Sequence, residues 1–211
     1  MILSLATWNI HKGFSQFNRR LVVHDLRERL RTLGADIVLL QEVQGLHLRH
    51  PKQHADWPEQ PQHHFLADEV WENHAYGPNV AYDHGHHGNA ILSRFCIASQ
   101  HNQDVTHFRF EGRGHLHCAI EVPGLALPVH CVSVHLSLFA GSRRKQLAAL
   151  VERIEAVVPA NAPLIIAGDF NDWKNHADAL LAQRLNLQEA FASNRGERPA
   201  RSFPARLPLL R

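Results

Sequence analysis

The stretch Ile165-Ile166-Ala167-Gly168-Asp169-Phe170-Asn171-Asp172 decides how the rest of the chain reads. An apolar run ends in a glycine, a carboxylate and, two positions on, a carboxamide. Three other runs share this shape. Residues 129–137 read VHCVSVHLS and bring His135 to a polar end. Residues 36–43 read DIVLLQEV and end near Glu42, and residues 3–13 read LSLATWNIHKG and deliver Asn9. Each ending taken alone has an ordinary explanation, because Gly-Asp after a strand is usually a turn and a histidine in an alternating strand is usually a wall residue. Four such endings together predict strands that deliver Asn, Glu, His and Asp/Asn to strand ends, where α/β folds place reacting groups. A hard cation takes oxygen ligands, and a phosphate takes amide, imidazole and guanidinium donors. This residue set supplies both.

Around these strands the pattern alternates between β and α. Residues 21–33 follow a rough helical period, with Asn18 as the expected cap and Gly34 as the stop. Residues 45–62 are polar, carry Pro51, Pro58 and Pro61, and read as loop. Phe65, Leu66, Val70 and Trp71 suggest a second helix. Residues 79–82 and 90–92 read as paired strands around a His/Gly loop at 83–88. Residues 97–107, 115–122 and 127–135 alternate as strands. The clearest helix covers 142–158, with Leu147, Leu150, Val151, Ile154 and Val158 on one stripe and Arg143, Arg144 and Lys145 in a solvated first turn. A strand at 164–167, a helix at 175–185 and an irregular Arg/Pro-rich segment at 194–208 complete the chain. This order supports an α/β or α+β sandwich.

Bulk properties narrow the partners. The 211 residues are 45% hydrophobic and 20% charged, which suits one domain with a substantial core. A net charge of +2 gives no strong field for a nucleic-acid duplex or an anionic membrane. Cys96, Cys118 and Cys131 lack metal-site spacing and are odd in number, so they read as buried free thiols in a reducing compartment. No apolar run approaches the length of a membrane span. The expected location is cytoplasmic.

The WN at residues 8–9, the QE at 41–42, the HLS at 135–137 and the GDFN at 168–171 together resemble the endonuclease/exonuclease/phosphatase (DNase I-like) superfamily. The GNAILSR at 88–94 and Arg113-Gly114 fit the same pattern, and the resemblance spans the chain from residue 3 to about its end. It implies a four-layer α/β/β/α sandwich with the site at one end, between two sheets. It implies a Mg²⁺ (or Mn²⁺) centre with Glu42 as metal ligand, and Asn9 beside it as a carbonyl ligand or phosphate donor. Asp169 would orient or deprotonate the attacking water or bind a second cation. Asn171 would donate to the scissile phosphate, its i, i+2 spacing placing it beside Asp169 if the strand continues. His135 would stabilise the phosphate or protonate the leaving oxygen. Arg113 would reach a phosphate oxygen, or else sit solvated in its glycine-rich turn, and Asn89 would support the site from behind, or else only make a strand-start hydrogen bond. Trp8 and Trp173 are expected to pack.

The implied activity is a metal-dependent hydrolase of a phosphodiester, with nucleic acid or a phospholipid head group as substrate. The family pattern also contains a C-terminal Asp in an LDRIY-type strand and a Ser-Asp-His, and neither occurs here. Residues 1–211 therefore read as a single domain lacking its last strands. A fragment of a longer product is favoured, nearly inactive alone. The alternative is an inactive remnant that binds phosphate groups or a partner.

Overall fold

The computed structural model describes residues 2–15, 19–108, 110–173 and 176–190. The expectations for Asn18 and for 194–208 lie outside them. Among the described residues the chain forms eight strands and five α-helices, and it divides into two compact units.

The first unit, residues 1–135 and 160–169, holds both sheets. Strands β1 (Leu5–Asn9), β2 (Ile37–His47), β3 (Asn73–Tyr82) and β4 (Gly85–Ser93) form one sheet in the order β1-β2-β4-β3. Strands β5 (Cys96–Asp104), β6 (Gly114–Glu121), β7 (Val129–His135) and β8 (Leu164–Asp169) form the other in sequence order. Two pairs are parallel, β1 with β2 and β7 with β8.

The unbroken apolar run of β2 has a direct cause. A strand covered on both faces reads as continuous rather than alternating. Val38, Leu40 and Val43 face a cluster with Val23, Leu26 and Leu30 of α1 (Val23–Leu33) and with Phe65 and Leu66 of α3 (Gln62–Ala67). Ile37 and Leu39 face the opposite way. They meet Ile91 from their own sheet and Leu116, Cys118, Ile120 and Cys131 from the second. The second cluster is the apolar filling between the sheets. Gly34 closes α1 in the left-handed region at φ 63°, where a side chain would be strained.

The second unit contains residues 136–159 and 170 onward, and its helices are α4 (Ala140–Val157) and α5 (His176–Leu185). Leu147, Leu150, Val151 and Ile154 are buried on α4, as the stripe predicted. Arg184 of α5 makes a two-pronged ion pair with Glu155 of α4, at 3.0 and 2.7 Å.

Several local expectations are revised. Strand β2 runs on to His47, and a one-turn helix α2 (His50–Gln53) follows, so residues 45–62 are not one loop. The His/Gly loop at 83–88 is a tight hairpin whose Gly85–Gly88 already belongs to β4. Cys96 is exposed, while Cys118 and Cys131 are buried and burial pushes both thiols up to about 12. Arg143 is not a solvated first-turn residue, because its guanidinium donates to the Ser137 and Leu138 carbonyls at 2.9 and 3.2 Å and lies 3.8 Å from Asp172. Trp173 is 54% exposed rather than packed. No described helix is long and apolar enough to cross a membrane.

Leu39→Ala is expected to destabilise the protein by about 2–5 kcal/mol, since it opens a cavity between two sheets. Exposed Leu33→Ala should change stability by no more than about 0.5 kcal/mol. Denaturant unfolding of both variants checks the pair.

Candidate active site

Parallel pairing aligns strand ends, and the site is assembled from those ends. Asn9 closes β1, His135 closes β7 and Asp169 closes β8, with His135 opposite Asp169 in the ladder. Gly168 lets β8 approach its neighbour: at φ 144°, a Cβ there would meet the Val134 carbonyl at 2.0 Å.

Glu42 reaches the same place differently. It does not end β2 but sits in a bulge, where the register with β4 shifts between Leu40 and Val43. Its φ is 53°, a left-handed conformation that costs a non-glycine residue on the order of 1–3 kcal/mol. The bulge re-aims a side chain that regular alternation would place elsewhere. His11 and Lys12, in the 3-10 turn His11–Gly13 after β1, also have positive φ, at 47° and 57°.

The side chains converge on one amide. Asn9 Nδ2 donates to Glu42 Oε1 and to Asp169 Oδ2, each at 3.1 Å, and Asn9 Oδ1 accepts the His11 backbone N–H at 3.1 Å. Lys12 Nζ donates to Glu42 Oε2 at 3.1 Å, with His11 Nδ1 at 3.5 Å. His135 Nε2 stands 3.9 Å from Asp169 Oδ2, an electrostatic contact rather than a hydrogen bond. Asn9, expected as a carbonyl ligand or a phosphate donor, here bridges the two carboxylates through its amide N–H groups, and its carbonyl accepts the His11 N–H.

Burial and neighbouring charge shift the titration of three groups in opposing ways. Burial works against the charge on Glu42. The Lys12 ammonium, His135 and the Asn9 and Lys12 hydrogen bonds outweigh it and hold its carboxyl down at about 2. Burial and the nearby Arg113 pull the His135 imidazole below its ordinary range, against the opposing pull of Asp169, Glu42 and Glu111. Burial also lowers His87 to about 4, with Lys12, His135 and Arg113 adding to it and Glu42 opposing.

Arg113 is not the solvated turn residue that its glycine neighbours suggested. It is 12% exposed, and its guanidinium donates to Glu111 at 2.9 Å and to the Gly112 carbonyl at 3.0 Å. Burial lowers its pKa while Glu111, Glu42 and Asp169 oppose the shift, so it lies within the field of both site carboxylates.

Asn89 is fully buried. Its Nδ2 donates to the Gly114 and Ser133 carbonyls at 3.0 and 3.1 Å, tying β4 to β6 and β7. Its Oδ1 has no hydrogen-bond partner among the described residues. Gln41 makes a parallel tie, its Nε2 donating to Ser133 Oγ at 3.1 Å and Thr7 Oγ1 at 3.2 Å.

Asn171 departs from expectation. Strand geometry stops at Asp169, and Asn171 turns to φ 49°, so the i, i+2 rule no longer applies. Within the second unit its Nδ2 donates to the Leu136 carbonyl at 2.9 Å. Its neighbour Asp172 accepts the Ala177 backbone N–H at 2.6 Å at the start of α5.

The sequence reading missed Lys12, His11, Gln41, Ser133, His87 and Glu111. Adjacency to Asn9 and Glu42 marked the first three. Ser133 shares the face of His135 by the period-two rule. Nothing local marked His87 or Glu111.

The donor set suits a hard cation. An ionised glutamate lies beside a second carboxylate, with no thiolate near, and a lysine ammonium already sits against one Glu42 oxygen.

Comparison with known proteins then places the chain. The sequence profile described as the endonuclease/exonuclease/phosphatase family matches residues 6–208. The chain belongs to that family. It is 46% identical over 207 residues to the uncharacterized protein YbhP of Escherichia coli K12, covering 98% of this chain and 81% of YbhP. Among solved structures it is similar to the human Nocturnin catalytic domain, which holds a bound sulfate, at TM-score 0.70 and 18% identity, covering 94% and 77% of the two chains. It is also similar to an endonuclease/exonuclease/phosphatase from Beutenbergia cavernae, at TM-score 0.66 and 19% identity. There the match covers 86% of this chain and about half, 52%, of the other. The α/β fold with two four-stranded sheets is thus the DNase I-like fold. Enzymes of this family hydrolyse phosphoric esters and generally use divalent metals.

Two outcomes follow from the charges. Glu42 has its folded pKa held at about 2 against an ordinary 4.5, so its contribution to stability is complete above pH 4.5 and is lost as pH falls towards 2. In Lys12→Met the Glu42 pKa should rise, so the contribution should shrink and its loss below pH 4.5 should be complete at a higher pH, as carboxyl NMR titration and acid unfolding would show. Arg113→Ala should destabilise by about 3 kcal/mol because it removes the guanidinium that pairs with the half-buried Glu111 carboxylate, whereas the double variant Arg113→Met, Glu111→Leu should recover most of that in thermal unfolding.

Proposed function

We propose that the protein is a Mg²⁺- or Mn²⁺-dependent phosphodiesterase that cleaves its substrate by attack of water. The observation that carries this reading is the Asn9 amide, hydrogen-bonded at once to Glu42 and Asp169 with His135 alongside.

Glu42 would hold the cation, which supplies a Lewis acid for charge developing on the phosphate oxygens when bound. Asn9 keeps the two carboxylates apart and fixed. Asp169, held by Asn9 on one oxygen, orients the attacking water or takes its proton. Burial and Arg113 lower the proton affinity of His135, and Asp169, Glu42 and Glu111 oppose them. A phosphodiester anion would add to the opposing pull, so that His135 can hold a proton and pass it to the leaving oxygen. Arg113 supplies fixed positive charge from behind its Glu111 partner. Asn89 supports the site by joining the sheets. The Asn171 amide is engaged with Leu136, and no role in the reaction is assigned to it.

The substrate is a phosphodiester of nucleic acid or of a phospholipid head group. A net charge of +2 favours single-stranded or head-group substrates over a duplex. The sulfate bound by Nocturnin, a tetrahedral oxyanion, supports an oxyanion site on this fold. We take residues 1–211 as part of one catalytic domain. The free state of all three cysteines supports a reducing, cytoplasmic setting.

The test is hydrolysis of bis(p-nitrophenyl) phosphate by the protein. EDTA should abolish activity, and Mg²⁺ or Mn²⁺ should restore it. Asp169→Ala and Glu42→Ala should each lower kcat by ~10²–10⁴-fold in protein that is still folded at the assay temperature, whatever shift the thermal midpoint shows. Activity that persists in EDTA, or near-normal turnover in either variant, would refute the reading.

A further inference from the structure

We infer that His63, His64 and His74 form a second metal site, for a borderline divalent transition cation such as Zn²⁺, built where α3 meets β3. The inference is independent of the hydrolase reading, since it uses neither Glu42 nor Asp169.

Geometry is the first ground. The three side chains each bring a ring nitrogen into one cluster, all within 4.8 Å of one another. Ring centroids are 4.5 Å apart for His63 and His64, 4.2 Å for His64 and His74, and 5.4 Å for His63 and His74, all tilted or edge-on rather than stacked. Consecutive residues on a helix point about 100° apart. Finding His63 and His64 turned to the same pole, with a strand histidine between their reach, is therefore not a by-product of helix geometry. Zinc–imidazole bonds of about 2.0–2.1 Å in a tetrahedron require nitrogens ~3.3 Å apart. Closing the cluster needs a contraction of roughly an ångström or more, and exposed His64 has room to make it.

The second ground is an unmet need. His63 is buried to 8% exposure, and its Nδ1 has no hydrogen-bond partner among the described residues. A buried ring nitrogen without a partner is unusual, and a metal ion would supply one. The ring is also held in place. It stacks on Tyr76 at 4.5 Å and 7°, and the Tyr76 hydroxyl is 2.9 Å from His86 Nδ1. Outer partners of this kind fix the orientation of metal-binding imidazoles.

The third ground is chemistry. A cluster made only of imidazoles selects Zn²⁺, Cu²⁺, Ni²⁺ or Co²⁺, whereas Mg²⁺ and Ca²⁺ want oxygen. The exposed side at His64 leaves a fourth position for water. Such an ion would fasten α3 to β3. Gln62, beside His63, donates to the Lys12 carbonyl at 2.8 Å and accepts the Gln44 N–H at 2.9 Å, so α3 is already tied to the segments on both sides of Glu42.

The experiment uses the full chain stripped with EDTA, dialysed and titrated with Co²⁺ under visible absorption, with Zn²⁺ as competitor. Wild type should take up cobalt with the absorption of a tetrahedral site, and Zn²⁺ should displace it and raise the thermal midpoint. His64→Gln, at an exposed position that leaves the fold intact, and His74→Gln should each weaken Co²⁺ affinity by at least ~10-fold and remove the Zn²⁺-dependent thermal shift. His47→Gln, in the separate histidine and tryptophan cluster with His50 and Trp57, should change neither. Wild-type affinity in both His64→Gln and His74→Gln, or no cobalt uptake by wild type, would overturn the proposal. Neither result would bear on EDTA-sensitive, Mg²⁺-supported hydrolysis at Glu42.

Discussion

One carboxamide between two carboxylates is the constraint on which the site depends. Asn9 lies on β1, an edge of the first sheet, and Asp169 on β8, an edge of the second. Glu42 and Asp169 would repel one another without the N–H that Asn9 gives to each. Apolar contact between sheets is non-directional and does not by itself fix how one sheet sits on the other. The hydrogen bonds do. Behind Asn9, Gln41 and Asn89 both reach Ser133 across the gap, at 3.1 Å each. Buried polar groups are tolerated when they are bonded, and here their bonds set the register of the end where the candidate site lies.

Strain and charge sit at the same end. Glu42, His11 and Lys12 all adopt positive φ. At on the order of 1–3 kcal/mol each, these conformations are a sizeable part of a net stability of about 5–15 kcal/mol. They persist because the apolar clusters on both faces of β2 hold the strand on either side of the bulge. The resulting arrangement gathers Glu42, Asp169 and Glu111 against Lys12, Arg113 and His135. The near balance of charge explains how so many ionisable groups share a partly buried site.

Much of this was legible in the sequence because it was local. The run DIVLLQ declares a strand buried on both faces, and the helical stripe of α4 declares its own buried side. WN, QE, HLS and GDFN marked Asn9, Glu42, His135 and Asp169, and the structure brings those four together. What was not legible depended on backbone irregularity or on distant partners. The bulge that aims Glu42 leaves no pattern, since φ 53° at a glutamate is not a propensity. Asn171 was misplaced because the strand stops two residues earlier. Arg113 was left between a phosphate contact and a solvated turn because its glycine neighbours hid that Glu111 folds back on it. His63 and His64 are neighbours on α3, but His74 lies beyond a turn at the start of β3, and only the fold brings its ring to theirs.

The most direct measurement is anomalous diffraction from crystals of the protein soaked in Mn²⁺. A manganese peak within coordination distance of a Glu42 carboxylate oxygen, beside Asp169 and the Asn9 amide, is the predicted result. An ordered Glu42–Asn9–Asp169 triad with no manganese at it, under Mn²⁺ that supports hydrolysis in solution, would contradict the assignment of this site.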